Sequence, residues 1–120
     1  TYAPLVKRIF EKHRKKIHGM IHCSGGGQTK ILHFVEGLHI VKDNLFETPT
    51  LFRLIQQAAK TPWQEMYKVF NMGHRMELYV DAPLIALANE FNIAAKVVGR
   101  VEASPTKKLT IQSPYGEFVY

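Results

Sequence analysis

Apolar and polar residues follow two different periods along this chain. Near the start, Leu5, Val6, Ile9, Phe10 and His13 recur at helical spacing with basic residues opposite, and Pro4 suits a first helical turn. The pattern predicts a helix over 4–14. The extended run from Ile17 to Cys23 stops at Ser24 and three consecutive glycines, Gly25, Gly26 and Gly27, so a strand is expected to feed a glycine loop. A short helical turn over 28–34 and a second strand over 38–42 follow. The pair Thr48-Pro49 opens an amphipathic helix through Leu51, Phe52, Leu54, Ile55 and Ala58, with Thr48 expected as N-cap and Pro49 at the first helical position. Thr61-Pro62 opens another, with Trp63, Met66, Tyr67 and Phe70 on one face and an end near Asn71. A strand over 76–80 and a helix over 82–91 come next. Strands over 96–101 and 107–112, joined by a turn around Ser104 and Pro105, and a short strand over 117–120 complete the reading. Helices and strands interleave without a clean parallel repeat, which predicts an α+β class, or a layered α/β/α arrangement, with a mixed sheet.

Length and composition narrow this picture. At 120 residues, 46% of them hydrophobic, the chain suffices for one core, and a single domain over 1–120 is expected. The sequence shows no internal repeat and no apolar run near the roughly 18 residues that span a bilayer. A cytoplasmic location is the default, and the single cysteine, Cys23, which has no internal disulfide partner, agrees with it. The start at Thr1 suggests a piece of a longer chain or a processed one. The formal charge is +6, but Lys7, Arg8, Lys12, Arg14, Lys15 and Lys16 against Glu11 place most of it in the first twenty residues. The remainder is nearly neutral. A basic helix face of this kind is ordinarily solvated, and no specific nucleic-acid partner is expected.

The glycine loop is the most chemically suggestive local feature. Three glycines allow backbone N–H groups to approach an anion closely, and phosphate is the natural ligand type. The loop is neither a P-loop nor a dinucleotide fingerprint, since the spacing of both is absent, and a tight turn is its plain alternative. His22 precedes it at the end of a strand, where it could donate to a phosphate or carry a proton, or serve as a hydrogen-bonded structural histidine. His18 shares its strand face by period-two counting. Cys23 falls on the opposite face, turned inward, and is not expected to be a nucleophile. Glu65 belongs on a solvent face. The histidines lack metal-ligand spacing, so no metal site is expected in this domain.

Two segments together carry a resemblance. Gly19-Met20-Ile21-His22-Cys23-Ser24-Gly25-Gly26-Gly27 resembles the Gly-Met-Ala-His-Ile-Thr-Gly-Gly-Gly signature of aminoimidazole ribonucleotide synthetases, the phosphoribosylformylglycinamidine cyclo-ligases. Glu65-Met66-Tyr67-Lys68-Val69-Phe70-Asn71-Met72-Gly73 resembles their Glu-Met-Tyr-Arg-Thr-Phe-Asn-Met-Gly. The similarity extends over about residues 16–103, the C-terminal domain of that two-domain enzyme. Gln28, Thr29 and Lys30 depart from the hydrophobic-Glu-Asn that usually follows the glycines. Cys23-Ser24 stands for Ile-Thr and keeps the hydroxyl.

The resemblance implies an ATP-dependent cyclisation. ATP phosphorylates the formyl amide oxygen of formylglycinamidine ribonucleotide, and an internal nitrogen then closes the imidazole ring as phosphate leaves. It implies His22 as a catalytic cleft residue, with Ser24, Gly25, Gly26, Gly27, Asn71 and Gly73 at the substrate or phosphate. It assigns ATP and Mg2+ mainly to an N-terminal domain, which also carries the dimer interface of the full-length homodimer. The isolated fragment is expected to be inactive. The alternatives are another ATP-dependent enzyme of the superfamily, of the selenophosphate synthetase or thiamine-monophosphate kinase type, and a non-catalytic phosphate- or nucleic-acid-binding module.

Overall fold

The computed structural model describes residues 2–81 and 84–120. In chain order its elements are α1 (Ala3–Lys12), β1 (Ile17–His22), a 3₁₀ segment (Gly27–His33), β2 (Leu38–Lys42), α2 (Thr50–Ala59), α3 (Trp63–Val69), β3 (Met76–Val80), α4 (Ile85–Glu90), β4 (Gly99–Ala103), β5 (Lys108–Ser113) and β6 (Gly116–Val119). This is the α+β class with a mixed sheet that the pattern predicts. Among the described residues no helix is long and apolar enough to cross a membrane.

The chain divides into two compact units, one from Thr1–Met20 with Leu78–Val97, the other from Ile21–Glu77 with Val98–Tyr120. In the first, α1 forms because Pro4 lies in its opening turn and apolar residues recur one turn apart. Leu5 and Ile9 are buried with Ala88, and Ile17, Leu78, Leu84, Leu87, Phe91, Ile93 and Ala95 pack against them. Burial of each large aliphatic side chain contributes about 1.5–3 kcal/mol, so this aliphatic cluster is what holds the unit together. The basic residues stay outside: Lys7, Lys12, Lys15 and Lys16 are exposed, and the Arg8 guanidinium lies 5.8 Å from the Phe91 ring centre.

The second unit is built on a four-stranded sheet of order β4-β2-β5-β6. β2 runs antiparallel to β4, with Ile40 opposite Val101, and parallel to β5, with Ile40 opposite Leu109. β5 and β6 form an antiparallel hairpin. The two strands joined by the turn at Ser104 and Pro105 are therefore not neighbours, because β2 lies between them. Ile40, Val41, Leu109 and Ile111 from the two central strands are buried, and so are Met66, Tyr67 and Met72. β1 and β3 form a separate two-stranded sheet.

The helix starts differ from expectation by one residue. Pro49 (φ −58°, ψ 146°) and Pro62 (φ −58°, ψ 143°) are N-caps in extended conformation, and Thr48 is buried without capping. The fixed proline φ suits this boundary, and the Pro49 carbonyl accepts from the Phe52 amide at 3.1 Å, as the Pro62 carbonyl does from Glu65 at 3.0 Å. α3 ends at Val69, because Phe70 is extended. α4 begins at Ile85; the expected first residues of that helix, Ala82 and Pro83, lie outside the described residues. The apolar stripe predicted on α2 buries none of its ten described residues, and Leu51 and Leu54 are exposed.

Candidate functional site

The site is assembled within the second unit from the glycine loop and the turn after α3. At the end of β1, Cys23 is buried and His22 exposed, as alternation requires. The His22 imidazole makes no hydrogen bond among the described residues. His18, in contrast, has a ring nitrogen 2.6 Å from the Asp81 carboxylate on an exposed surface.

The three glycines have distinct roles. Gly25 is exposed and Gly26 half-buried, and their N–H groups donate to no partner among the described residues. Gly27 is buried, and its N–H donates to the Ser24 carbonyl at 3.0 Å. At φ +50° a side chain is disfavoured, and a Cβ there would run into the Phe70 backbone, 2.9 Å from its nitrogen. Gly27 is thus a packing glycine that lets the loop meet the end of α3, while Gly25 and Gly26 remain available to an anion.

The turn after α3 explains its own sequence. The Asn71 side-chain oxygen accepts from the Gly73 amide at 2.9 Å and its carbonyl from the His74 amide at 3.0 Å, which folds an Asx turn. Met72 is buried in the left-handed region at φ 55°, an uncommon place for a side chain. Gly73 follows at φ +94° with the Pro49 ring against it, where a Cβ would be 2.9 Å from Pro49 Cγ. The Asn-Met-Gly segment therefore shapes the site, and Asn71 spends its carbonyl and its side-chain oxygen within the protein.

Gln28 joins the two motifs. It is 1% exposed, and its amide nitrogen donates to the Asn71 carbonyl at 2.6 Å. Its side-chain oxygen and its carbonyl both accept from the Lys42 ammonium, at 2.9 and 2.8 Å. That ammonium also meets the Glu77 carboxylate at 2.5 Å, with both side chains buried. A charge so far from water requires such compensation, since an unpaired buried ammonium is strongly disfavoured. The network spans the glycine loop, β2, β3 and the Asn71 turn. Burial, reinforced by Glu77, pushes the Cys23 thiol up to about 12, against a weaker opposing pull from Lys42. Such a thiol is protonated and inert near neutral pH, as expected for an inward-facing cysteine.

Lys30 is the other lysine of the loop. Its ammonium donates to the His22 carbonyl and to Ser24 Oγ, both at 2.9 Å, on the exposed side. Sequence reasoning did not single out Lys30, Lys42, Glu77 or Gln28 as site residues. Gln28 and Lys30 stood out only as departures after the glycines; the pairing of Lys42 with Glu77, far apart in sequence, left no local signal. Among the described residues no group of three or more His, Cys, Asp or Glu side chains is placed to hold a metal ion.

The mixed-sheet α+β unit thus holds a His-x-Ser-Gly-Gly-Gly loop against an Asn-Met-Gly turn. Residues 4–112 match the family described as AIR synthase related protein, C-terminal domain, and the chain belongs to this family. It is similar to the phosphoribosylformylglycinamidine cyclo-ligase of Methanocaldococcus jannaschii, 35% identical over 103 residues, which cover 80% of this chain and 29% of that protein. The cyclo-ligase of Methanococcus maripaludis is 32% identical over 120 residues, covering 92% and 34%. That of Methanobrevibacter smithii is 44% identical over 72 residues, covering 60% and 21%. The chain thus spans about a third or less of the length of these curated relatives.

Proposed function

We propose that this chain is the C-terminal portion of a phosphoribosylformylglycinamidine cyclo-ligase that acts in purine biosynthesis in the cytoplasm. The observation that carries the reading is the joining of the two motifs: Gln28 and Gly27 bring the glycine loop against the Asn71 turn and leave His22 and Gly25 exposed and Gly26 half-buried beside it.

The reaction transfers the terminal phosphoryl group of ATP to the formyl amide oxygen of formylglycinamidine ribonucleotide. A nitrogen of the same molecule attacks the activated formyl carbon, the carbon–oxygen bond to the phosphoryl group breaks, and ADP, phosphate and aminoimidazole ribonucleotide result. Such chemistry depends on donors that stabilise phosphate charge more than on a protein nucleophile. The N–H groups of Gly25 and Gly26 are donors of that kind, and their lack of a partner among the described residues fits a phosphate group. Ser24 would add its hydroxyl, while Gly27, Asn71 and Gly73 hold the loop in shape. His22, exposed and unbonded, would face the ligand and hold or move a proton there. ATP and Mg2+ are assigned mainly to an N-terminal domain and the dimer to the full-length protein; the 120-residue chain alone is then inactive.

The test is ATP-dependent formation of aminoimidazole ribonucleotide by the full-length protein with His22→Ala and Gly26→Val. At Gly26 φ is +91°, so valine strains the loop. Both variants are expected to lose activity by about a hundredfold or more while retaining fold, in the range seen when a positioned donor or general acid–base group is lost. Full activity in both would sink the assignment, and a wild-type protein without cyclo-ligase activity would move it to another ATP-dependent enzyme of the superfamily.

A further inference from the structure

We infer that Lys30 supplies the positive charge of a phosphate seat on the glycine loop, acting with the Ser24 hydroxyl and the N–H groups of Gly25 and Gly26. This rests on the loop being phosphate-facing, as proposed above, and adds the residue that would give it charge selectivity.

Three observations carry the inference. First, the Lys30 stem lies along the loop: a Cβ at Gly26 would be 3.5 Å from Lys30 Cβ and 3.8 Å from its Cγ. Its ammonium is thereby delivered to Ser24 and the His22 carbonyl rather than into open solvent. Second, both of those acceptors are neutral. They orient the ammonium without cancelling its charge, and one of its three donors is left over. Third, no carboxylate opposes it. Lys30 forms no ion pair among the described residues, and the sequence holds no Asp or Glu between Glu11 and Glu36.

Lys42 shows what the alternative looks like. That lysine is 2% exposed and is matched by Glu77, so its charge is used up inside the protein. Lys30 is fixed, half-exposed and uncompensated, beside two backbone donors, on exposed Gly25 and half-buried Gly26, with no partner among the described residues. That combination recognises a phosphate dianion, to which a charge-assisted bond is about twice as strong as a neutral one. It does not discriminate a phosphomonoester on a ribose from the terminal phosphate of a nucleotide, since both present the same oxygens.

The experiment follows the amide resonances of Gly25 and Gly26 in the 120-residue chain. Inorganic phosphate, ribose 5-phosphate and ATP are titrated separately at constant ionic strength. Wild type, Lys30→Met and Lys30→Arg are compared, with thermal unfolding of each recorded alongside. Saturable shifts at Gly25 and Gly26 are expected in wild type, with affinity about tenfold weaker in Lys30→Met and largely restored in Lys30→Arg. The unfolding temperature should be unchanged, which a merely structural lysine would not give. Tighter binding of ribose 5-phosphate assigns the seat to the sugar phosphate, and tighter binding of ATP to the nucleotide; either supports it. Equal affinity in wild type and Lys30→Met, with the loop still responding, overturns the role of Lys30 and leaves the loop reading intact. Absence of any shift at Gly25 and Gly26 in wild type overturns both.

Discussion

The two compact units are filled in opposite ways. In the unit of α1 and α4 the interior is aliphatic, with Leu5, Ile9 and Ala88 at its centre. In the unit that carries the glycine loop, Lys42, Glu77, Gln28, Thr29, His74 and Thr110 are buried alongside Ile40, Met66 and Leu109. Even the backbone there is drawn in, with the Phe46 amide donating to a His74 ring nitrogen at 3.0 Å. An aliphatic core is non-directional and tolerates small shifts of its members. A buried ammonium with two amide acceptors and a carboxylate is satisfied in few geometries, so it fixes where the loop stands relative to β2, β3 and the Asn71 turn. The polar interior belongs to the unit that carries the glycine loop.

The sharpest way to break this contrast is to remove one charge. Glu77→Leu leaves the Lys42 ammonium buried without its carboxylate and should cost about 3–5 kcal/mol in urea unfolding followed by tryptophan fluorescence. Adding Lys42→Met should restore most of that loss, since a buried ion pair is often replaceable by well-packed apolar groups. Strict additivity of the two substitutions would mean that the pair does not act as a unit. The Gly25 and Gly26 amides should nevertheless shift in the double variant, because Gln28 then loses its cationic partner.

Ile9→Ala provides the counterpart in the aliphatic unit. Ile9 is 1% exposed, and its truncation should cost about 2–4 kcal/mol through lost transfer energy and the cavity left behind. Amide exchange should report that loss around α1 and α4, with the resonances of the glycine loop unmoved. Perturbation at Gly25 and Gly26 as large as at Ala88 would mean that the two interiors are not separately organised.

How much of this was legible in the sequence follows from the same contrast. Helix α1 announced itself, because Leu5 and Ile9 one turn apart are a local signal, whereas the chain reads as one domain rather than two units. The glycine loop and the Asn-Met-Gly turn were legible as motifs, and the inward turn of Cys23 followed from alternation. The order β4-β2-β5-β6 was not, since nothing local says that β2 inserts between two strands joined by a turn. Nor was the Lys42–Glu77 pair: a lysine ending an alternating strand looks like a solvated end, and the groups that meet its ammonium, Gln28 and Glu77, are distant in sequence. The apolar stripe on α2 misled in the other direction, because spacing specifies a face but not what covers it.

The smallest effect concerns Cys23, which is 2% exposed within the polar interior. With its thiol pushed up to about 12 from an ordinary value of 9.0, the folded state holds the proton more tightly than the unfolded state does. Its contribution to stability is therefore complete below about pH 9 and is lost as pH rises from there through 12. Comparing the urea midpoint of wild type with that of Cys23→Val between pH 8 and pH 10.5 isolates this group from the other side chains. Wild type should lose stability more steeply above about pH 9. At pH 8 the native thiol should resist an aromatic disulfide reagent that modifies it readily in urea. In Glu77→Gln the native reaction should speed up, because the carboxylate that raises the thiol is gone while Lys42, which lowers it, remains. Equal rates in the two proteins would show that burial alone silences Cys23, and that the charges beside it serve only to hold the loop.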